Sequence, residues 1–247
     1  MKTSNKLLSS ALFIICASIL GMIQYSKYFI KDQVELESGR EILKNKQLER
    51  FTKINLASNF DISIFKGPES IILEGDSILI ENLTMEIKDS VLTLNLNGEI
   101  KNYSSSGLKI KIYCNQLNEI TLLGSGDVTM QDTFKSSHAE LTLTGSGSIV
   151  GKFSSEILDV SLLGSGEIRN VGNSNHTSAT LSGSGDIDLS KTIAQSCTSN
   201  LLGSGNIEIN CSKTLDIDLT GNGEINYKGT PKLNIKKLGN GEVHAMD

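Results

Sequence analysis

The sequence is poor in several residue types that particular functions require. Its 247 residues include no tryptophan, only 2 prolines and 3 histidines, and aromatic residues make up 5% of the chain. So few histidines argue against a metal or catalytic site built on several imidazoles. Basic charge is also scarce, because 23 Lys and Arg stand against 28 Asp and Glu. A net charge of −5 excludes the strongly basic class of nucleic-acid-binding proteins, and we expect no nucleic-acid partner.

Glycine is the residue that the chain has in excess, with 23 copies. The glycines do not recur at every third position, which excludes a collagen triple helix. Hydrophobic residues make up 38% of the sequence, which is enough Val, Ile and Leu to form a core, so a disordered chain is not expected. The composition predicts an ordered β protein punctuated by glycine.

The N-terminus has the pattern of an export signal or a membrane anchor. Lys2 and Lys6 precede residues 7–26, an uncharged stretch with an apolar centre. As a helix, this stretch is long enough to cross a bilayer of about 30 Å. A basic start followed by an apolar run predicts a signal peptide or an N-terminal membrane anchor, a transmembrane helix, over residues 1–31. No small-x-small cleavage site follows the run, which favours the anchor and leaves both alternatives open.

The rest of the chain is anionic, with 19 basic against 28 acidic residues after residue 31. Such a domain is repelled by nucleic acid and by anionic lipid headgroups. Residues 32–50 are rich in charge with scattered apolar residues, and we predict a charged linker or a short helix there.

The second half of the chain is a repeat. A Gly-[Ser/Asn]-Gly motif occurs seven times, at intervals of 18 to 21 residues. The candidate structural turn glycines are Gly124, Gly126, Gly145, Gly147, Gly164, Gly166, Gly183, Gly185, Gly203, Gly205, Gly221, Gly223, Gly239 and Gly241. Two residues after each motif stands a Val or Ile, and two residues before it stands a Leu, replaced only in the last copy by Lys237.

This period predicts stacked coils. One coil of about 19 residues cannot bury its own apolar side chains, but stacked coils bury each other's in continuous columns. Glycines at the corner allow positive φ or a close approach of two backbones. The sequence therefore predicts an all-β parallel β-helix or β-solenoid with 18–21 residues per coil, preceded by the N-terminal membrane segment.

The upstream residues 51–113 also indicate strands. Apolar and polar residues alternate at Ile54 and Leu56, and again at Leu108, Ile110 and Ile112, as in half-buried strands. We predict one β-helical domain over residues 51–247, with irregular first coils over 51–113 and the seven repeats over 114–247. A separate small β-sandwich over 51–113 is the alternative.

The residue after each glycine pair is a carboxylate in five of the seven copies, namely Asp127, Glu167, Asp186, Glu224 and Glu242. Stacking aligns these residues about 5 Å apart, where like charges repel unless solvent screens them or a cation lies between them. Oxygen ligands of this kind suit calcium. The preferred interpretation is a solvated acidic corner without a metal or cofactor, and a calcium site is the alternative.

No catalytic residues are predicted. Glycoside hydrolysis needs two carboxyls at a defined separation, and no copy of the repeat departs from the others in a way that marks such a pair. The three histidines lie far apart in sequence, so a shared metal site is not expected. No Cys-x-x-Cys pair supports a zinc or redox site. We expect Cys114, Cys197 and Cys211 to be free and buried, although Cys197 and Cys211 are able to meet across one coil.

The repeated Gly-Ser-Gly-Asp-Ile and Gly-Asn-Gly-Glu-Ile-Asn units resemble the head GIN domain family, described as auto-transporter adhesins of the bacterial cell envelope. The resemblance extends upstream to Phe51-Thr-Lys-Ile-Asn-Leu and Val91-Leu-Thr-Leu and spans residues 51–247. It implies a β-helical fold and an exported, bacterial protein, and it carries over no catalytic residue.

The function expected from this resemblance is a non-enzymatic adhesin, membrane-anchored or secreted, that presents its solenoid surface to a glycan or to an envelope or host protein. A periplasmic structural or regulatory envelope protein is the alternative. A polysaccharide-active β-helix enzyme ranks third.

Overall fold

The computed structural model describes residues 40–57, 59–96 and 107–246. The predicted signal or anchor at residues 1–31, including Cys16, lies outside the described residues. In the described part of the chain, no helix has the length and apolar character that a membrane crossing requires.

The described residues form an all-β solenoid with one short helix, α1, Ser77–Asn82. The strands before the repeats are β1 Glu41–Gln47, β2 Lys53–Ala57, β3 Asp61–Lys66, β4 Ser70–Asp76, β5 Leu83–Lys88, β6 Val91–Leu96 and β7 Leu108–Cys114. The strands of the repeats are β8 Glu119–Gly124, β9 Asp127–Met130, β10 Phe134–Gly145, β11 Ser148–Gly151, β12 Phe153–Gly164, β13 Glu167–Asn170, β14 Gly172–Gly183, β15 Asp186–Gly203, β16 Asn206–Gly221, β17 Glu224–Lys228, β18 Lys232–Gly239 and β19 Glu242–Ala245.

Parallel pairing stacks the repeats with their glycine motifs in register. The first glycine of each motif pairs with the first glycine of the next, from Gly124 through Gly239. The predicted β-solenoid with coils of 18 to 21 residues is thus confirmed. Each coil has a long segment before the glycine motif and a short segment after it. In most coils a third segment follows, as in the pairing of Phe134–Ser136 with Phe153–Ser155.

The core is made of inward columns that run along the solenoid. The leucine two residues before each motif is at most 2% exposed in six coils, and the Val or Ile two residues after it is at most 1% exposed in six. Burying one such side chain contributes about 1.5–3 kcal/mol, so the columns hold the coils together. In the last coil Lys237 takes the leucine position, and its Nζ donates to the Gly241 carbonyl at 3.0 Å.

The strands before the repeats belong to the same sheet, but they do not follow in simple order. Strand β2 lies between β6 and β8, and β3 lies between β7 and β9, in parallel pairings. The end of the solenoid is closed by antiparallel pairs, β4 with β7, β1 with β4 and β5 with β6. Helix α1 adds the buried Leu79 and Ile80 to this cap.

Strand β1 lies within the segment 32–50 for which the sequence suggested a linker or a short helix. Its seven residues pair antiparallel with β4, from Glu41 opposite Asp76 to Gln47 opposite Ser70. Ile42 and, just after the strand, Leu48 pack partly buried against the core. The pairing with β4 therefore outweighs the charged composition, because an exposed edge strand tolerates polar side chains on its outer face.

Candidate functional site

The two glycines of each motif shape the corner that presents the polar surface. Gly183, the first glycine of its motif, has φ of 136°, a value that side chains rarely allow. Gly185, the second, is not in that region, but a Cβ there would lie 2.4 Å from the Gly166 carbonyl oxygen of the previous coil. The motif thus needs its first glycine for backbone conformation and close approach, and its second for close approach alone. This packing fixes the register of the residues that follow.

The residue after each glycine pair forms a continuous outward column, here called the acidic ladder. Its members in register are Asp127, Ser148, Glu167, Asp186, Asn206, Glu224 and Glu242. Ser148 Oγ donates to Asp127 at 2.6 Å, and Asn206 Nδ2 donates to Asp186 at 2.8 Å. The two neutral members separate carboxylates and hydrogen-bond to them, which reduces the repulsion along the column.

Two neighbouring carboxylate pairs remain in the ladder, Glu167 with Asp186 and Glu224 with Glu242. Each pair has a cation two residues along one of its strands. Arg169 forms an ion pair with Glu167, and His244 Nε2 lies 2.8 Å from Glu242. Among the residues that the structure describes, no group of three or more His, Cys, Asp or Glu side chains is arranged to hold a metal. The ladder is therefore a solvent-facing surface whose charges are partly balanced by its own side chains.

Two of the three histidines share a column on the long segments, seven residues before the first glycine of their coils. Ile157 lies between them, paired with His138 on one side and with His176 on the other. His138 Nε2 lies 2.7 Å from Asp159 Oδ2. The two rings are thus two coils apart and do not form a common pair, although alignment of the repeats places them in the same column.

A groove runs across the long segments of β12, β14, β15 and β16, beside this histidine column. It has a volume of 270 Å³ and is lined by Ile157, Asp159, His176, Thr177, Ser178, Ser196, Cys197, Thr198, Thr214 and Asp216. Ile157 is 41% exposed and gives the groove an apolar side. The other wall residues are mainly hydroxyls with two carboxylates, and such polar groups fix the orientation of a ligand.

Both carboxylates of the groove are held by neighbours outside it. Asp159 is paired with His138, and Asp216 Oδ1 accepts a hydrogen bond from Asn234 at 3.0 Å. A carboxylate with one oxygen fixed in this way retains acceptor capacity for a ligand hydroxyl. Thr177 and Cys197 form the buried floor, at 3% and 4% exposure.

The sequence analysis did not single out this groove. Its residues occupy positions five to seven before the glycine motif in four consecutive coils, so they are distant in sequence. Their repeat offset is the signal that would have brought them together. The three cysteines of the described part of the chain, Cys114, Cys197 and Cys211, are free and buried.

Comparison with known proteins identifies the family and the fold. Residues 50–231 match the family described as "Putative auto-transporter adhesin, head GIN domain". No curated protein is significantly similar to the chain in sequence.

Several solved structures share the fold. A "putative adhesin" from Bacteroides fragilis is 22% identical, with a TM-score of 0.81, over 85% of this chain and 98% of that one. A "putative adhesin" from Parabacteroides merdae is 20% identical, with a TM-score of 0.67, over 85% and 97%. A "Putative lipid binding protein" from Parabacteroides distasonis is 21% identical, with a TM-score of 0.66, over 85% and 98%.

Proposed function

Because this chain belongs to the head GIN domain family of auto-transporter adhesins, we propose that it is a non-enzymatic binding protein of the bacterial cell envelope, an adhesin that binds a glycan. The observation that carries the proposal is the groove across β12 to β16, with its hydroxyl and carboxylate walls. Its volume of 270 Å³ suits one or two sugar units rather than a protein surface.

The chemistry of the walls supports a sugar ligand. Carboxylate and hydroxyl oxygens accept the hydrogen bonds that sugar hydroxyls donate, and threonine and serine hydroxyls also donate in return. Asp159 and Asp216, at opposite ends of the groove, are held by His138 and Asn234, so their remaining lone pairs are oriented before a ligand arrives. Ile157 offers an apolar contact for the C–H face of a ring. No Trp, Tyr or Arg, the residues that dominate protein–protein hot spots, lines the groove, which favours a glycan over a protein.

The environment of the acids supports binding without turnover. Four of the five ladder carboxylates contact a serine, an asparagine, an arginine or a histidine. The ladder follows the exposed corner of the solenoid, outside the groove. A glycosidase needs an acid and a second carboxyl on either side of one scissile bond, and an enclosed site keeps the acid protonated more readily than an open surface.

We also propose that residues 7–26 attach the domain to a membrane, so that the solenoid is displayed from the cell envelope. The support is the basic start and the uncharged apolar run in the sequence, together with the family assignment. A retained anchor and a cleaved signal both deliver the domain to the envelope, and a periplasmic role differs only in which side of the outer barrier it faces.

A glycan-binding assay with paired variants tests the groove. We expect the purified protein to bind a subset of an array of bacterial and host glycans. Asp216→Asn and His176→Ala should each weaken binding to those glycans about tenfold or more, because a lost charged hydrogen bond costs about 1.5–3 kcal/mol. Glu224→Gln, on the acidic ladder, is the matched control and should bind as wild type does.

Three outcomes would contradict the proposal. Equal binding by the groove variants would exclude the groove, and loss in Glu224→Gln alone would move the site to the ladder. Shortened glycan products after incubation would show an enzyme instead of an adhesin. Circular dichroism of each variant checks that the fold is retained.

A further inference from the structure

Cys197 and Cys211 lie on neighbouring coils and face each other inside the solenoid. Cys197 points inward from the long segment of β15, and Cys211 lies on β16 opposite Ala194. Between Ala194 and Ser196 the pairing shifts by one residue, because β16 has the extra chain from Cys211 to Thr214 across the bend. The two thiols are hydrogen-bonded to each other. Cys114, by contrast, is buried without another cysteine beside it.

The separation of neighbouring coils suits a disulfide bond. Paired strands lie about 4.8 Å apart, and disulfides link Cα atoms about 4.4–6.8 Å apart. Both residues are already in place, at 4% and 0% exposure, and the thiols are in contact. Replacing that hydrogen bond by a covalent bond therefore requires little movement of either coil.

We propose that Cys197 and Cys211 form a disulfide bond by exchange with an external disulfide. The thiolate of Cys211 attacks one sulfur of the oxidant, which leaves as a thiolate and gives a mixed disulfide. The Cys197 sulfur then attacks the Cys211 sulfur and releases the second thiol. In total the two cysteines lose two electrons and two protons, and the oxidant is reduced to two thiols.

The surroundings of the two thiols assign these roles. The hydrogen bond from Cys197, together with the backbone N–H groups of Ser212, Lys213 and Thr214, lowers the pKa of Cys211 to about 7. The same hydrogen bond and burial raise the pKa of Cys197. Burial, with the nearby Glu69, raises the pKa of Cys114 to about 12. Thiolate character determines which thiol attacks, so Cys211 is the nucleophile and Cys114 remains unreactive.

The bond would join two coils beneath the groove. Cys197 forms part of the groove floor, and Cys211 leads into the bend that carries Thr214. The disulfide would close a loop that runs once around the solenoid, from residue 197 to 211, and so restrict the unfolded chain. The inference does not depend on the proposed glycan ligand.

One tryptic peptide reports the bond. Trypsin cuts after Lys191 and Lys213, and residues 192–213 contain both cysteines and no other Lys or Arg. The full chain is unfolded, refolded in a buffer of oxidised and reduced glutathione, treated with iodoacetamide and digested. We expect this peptide to be unalkylated and lighter than its dithiol form by two hydrogen atoms, and to accept two alkyl groups only after reduction.

The peptide 112–135, which contains Cys114, is the internal control and should be alkylated without reduction. The oxidised protein should also unfold at a higher urea concentration than the reduced protein, whereas Cys197→Ser should show no difference between the two buffers. Alkylation of both cysteines in 192–213 before reduction would overturn the proposal. Stable glutathione adducts on that peptide, or a link from it to 112–135, would overturn it as well.

Discussion

The corner glycines give the sharpest prediction for stability, because three consecutive residues have three different requirements. Gly183 combines φ of 136° with a Cβ position 2.1 Å from the Gly164 carbonyl oxygen. Gly185 has the close approach only, 2.4 Å from the Gly166 oxygen and 2.7 Å from Leu162 Cδ2. Ser184, between them, is exposed and already carries a side chain.

These distances rank the three alanine variants. Overpacking costs about 1–3 kcal/mol, and a backbone strained at positive φ costs a further 1–3 kcal/mol or so. Replacing glycine by alanine returns about 0.4–1 kcal/mol through the unfolded chain. We therefore expect Gly183→Ala to lower the free energy of unfolding by about 2–5 kcal/mol and Gly185→Ala by about 1–2 kcal/mol. Ser184→Ala should change it by less than about 0.5 kcal/mol.

Urea unfolding followed by circular dichroism measures the three variants under one condition. The midpoints should fall in the order Ser184→Ala, Gly185→Ala, Gly183→Ala, with Ser184→Ala at the wild-type value. An unchanged slope with denaturant shows that the same surface is exposed in each case. If Gly183→Ala unfolds at the wild-type midpoint, or if Ser184→Ala is as destabilised as either glycine variant, the close-packed corner is wrong.

Three further predictions concern the interior and the ladder. Asn170, which hydrogen-bonds to both backbone groups of Phe153, should cost about 1–3 kcal/mol when changed to alanine, whereas exposed Asn173→Ala should not; equal urea midpoints would refute this. The Thr177 hydroxyl is buried without a partner, so Thr177→Val should stabilise by up to about 1 kcal/mol, unlike exposed Thr180→Val, and a lower midpoint would contradict it. Calcium or EDTA should leave the thermal midpoint unchanged, and a rise with calcium would indicate a cation on the acidic ladder.

The solenoid could be predicted from the sequence because each coil repeats the same local requirements. Gly183 and its six equivalents occupy one strained corner, and a residue type that only one conformation explains is visible without a structure. The ladder followed directly, since a fixed offset from the glycines becomes a column once coils stack.

The cap could not be predicted in the same way. Strands β1, β4 and β5 pair antiparallel and occur once each, so no repetition marks their partners. The charged β1 is stabilised by β4 rather than by its own sequence pattern, which is why its composition suggested a linker or helix.

The groove depends on differences between coils rather than on their likeness. Ile157, His176, Ser196 and Thr214 occupy the same position in four coils, yet they share no residue type. A repeat analysis that looks for identity passes over such a column, although a ligand would read its variation.

The measurement that tests the adhesin account most directly is whether the groove can be reached from outside an intact cell. Ser178→Cys places a thiol in the groove wall, and Ser199→Cys, buried in the neighbouring coil, is the matched control. Cells that express each full-length variant are treated with a polyethylene glycol maleimide too large to pass porins. The account predicts that Ser178→Cys is labelled on intact cells and that Ser199→Cys and the wild type are not. Labelling of Ser178→Cys only after the envelope is opened would contradict surface display and favour a periplasmic role.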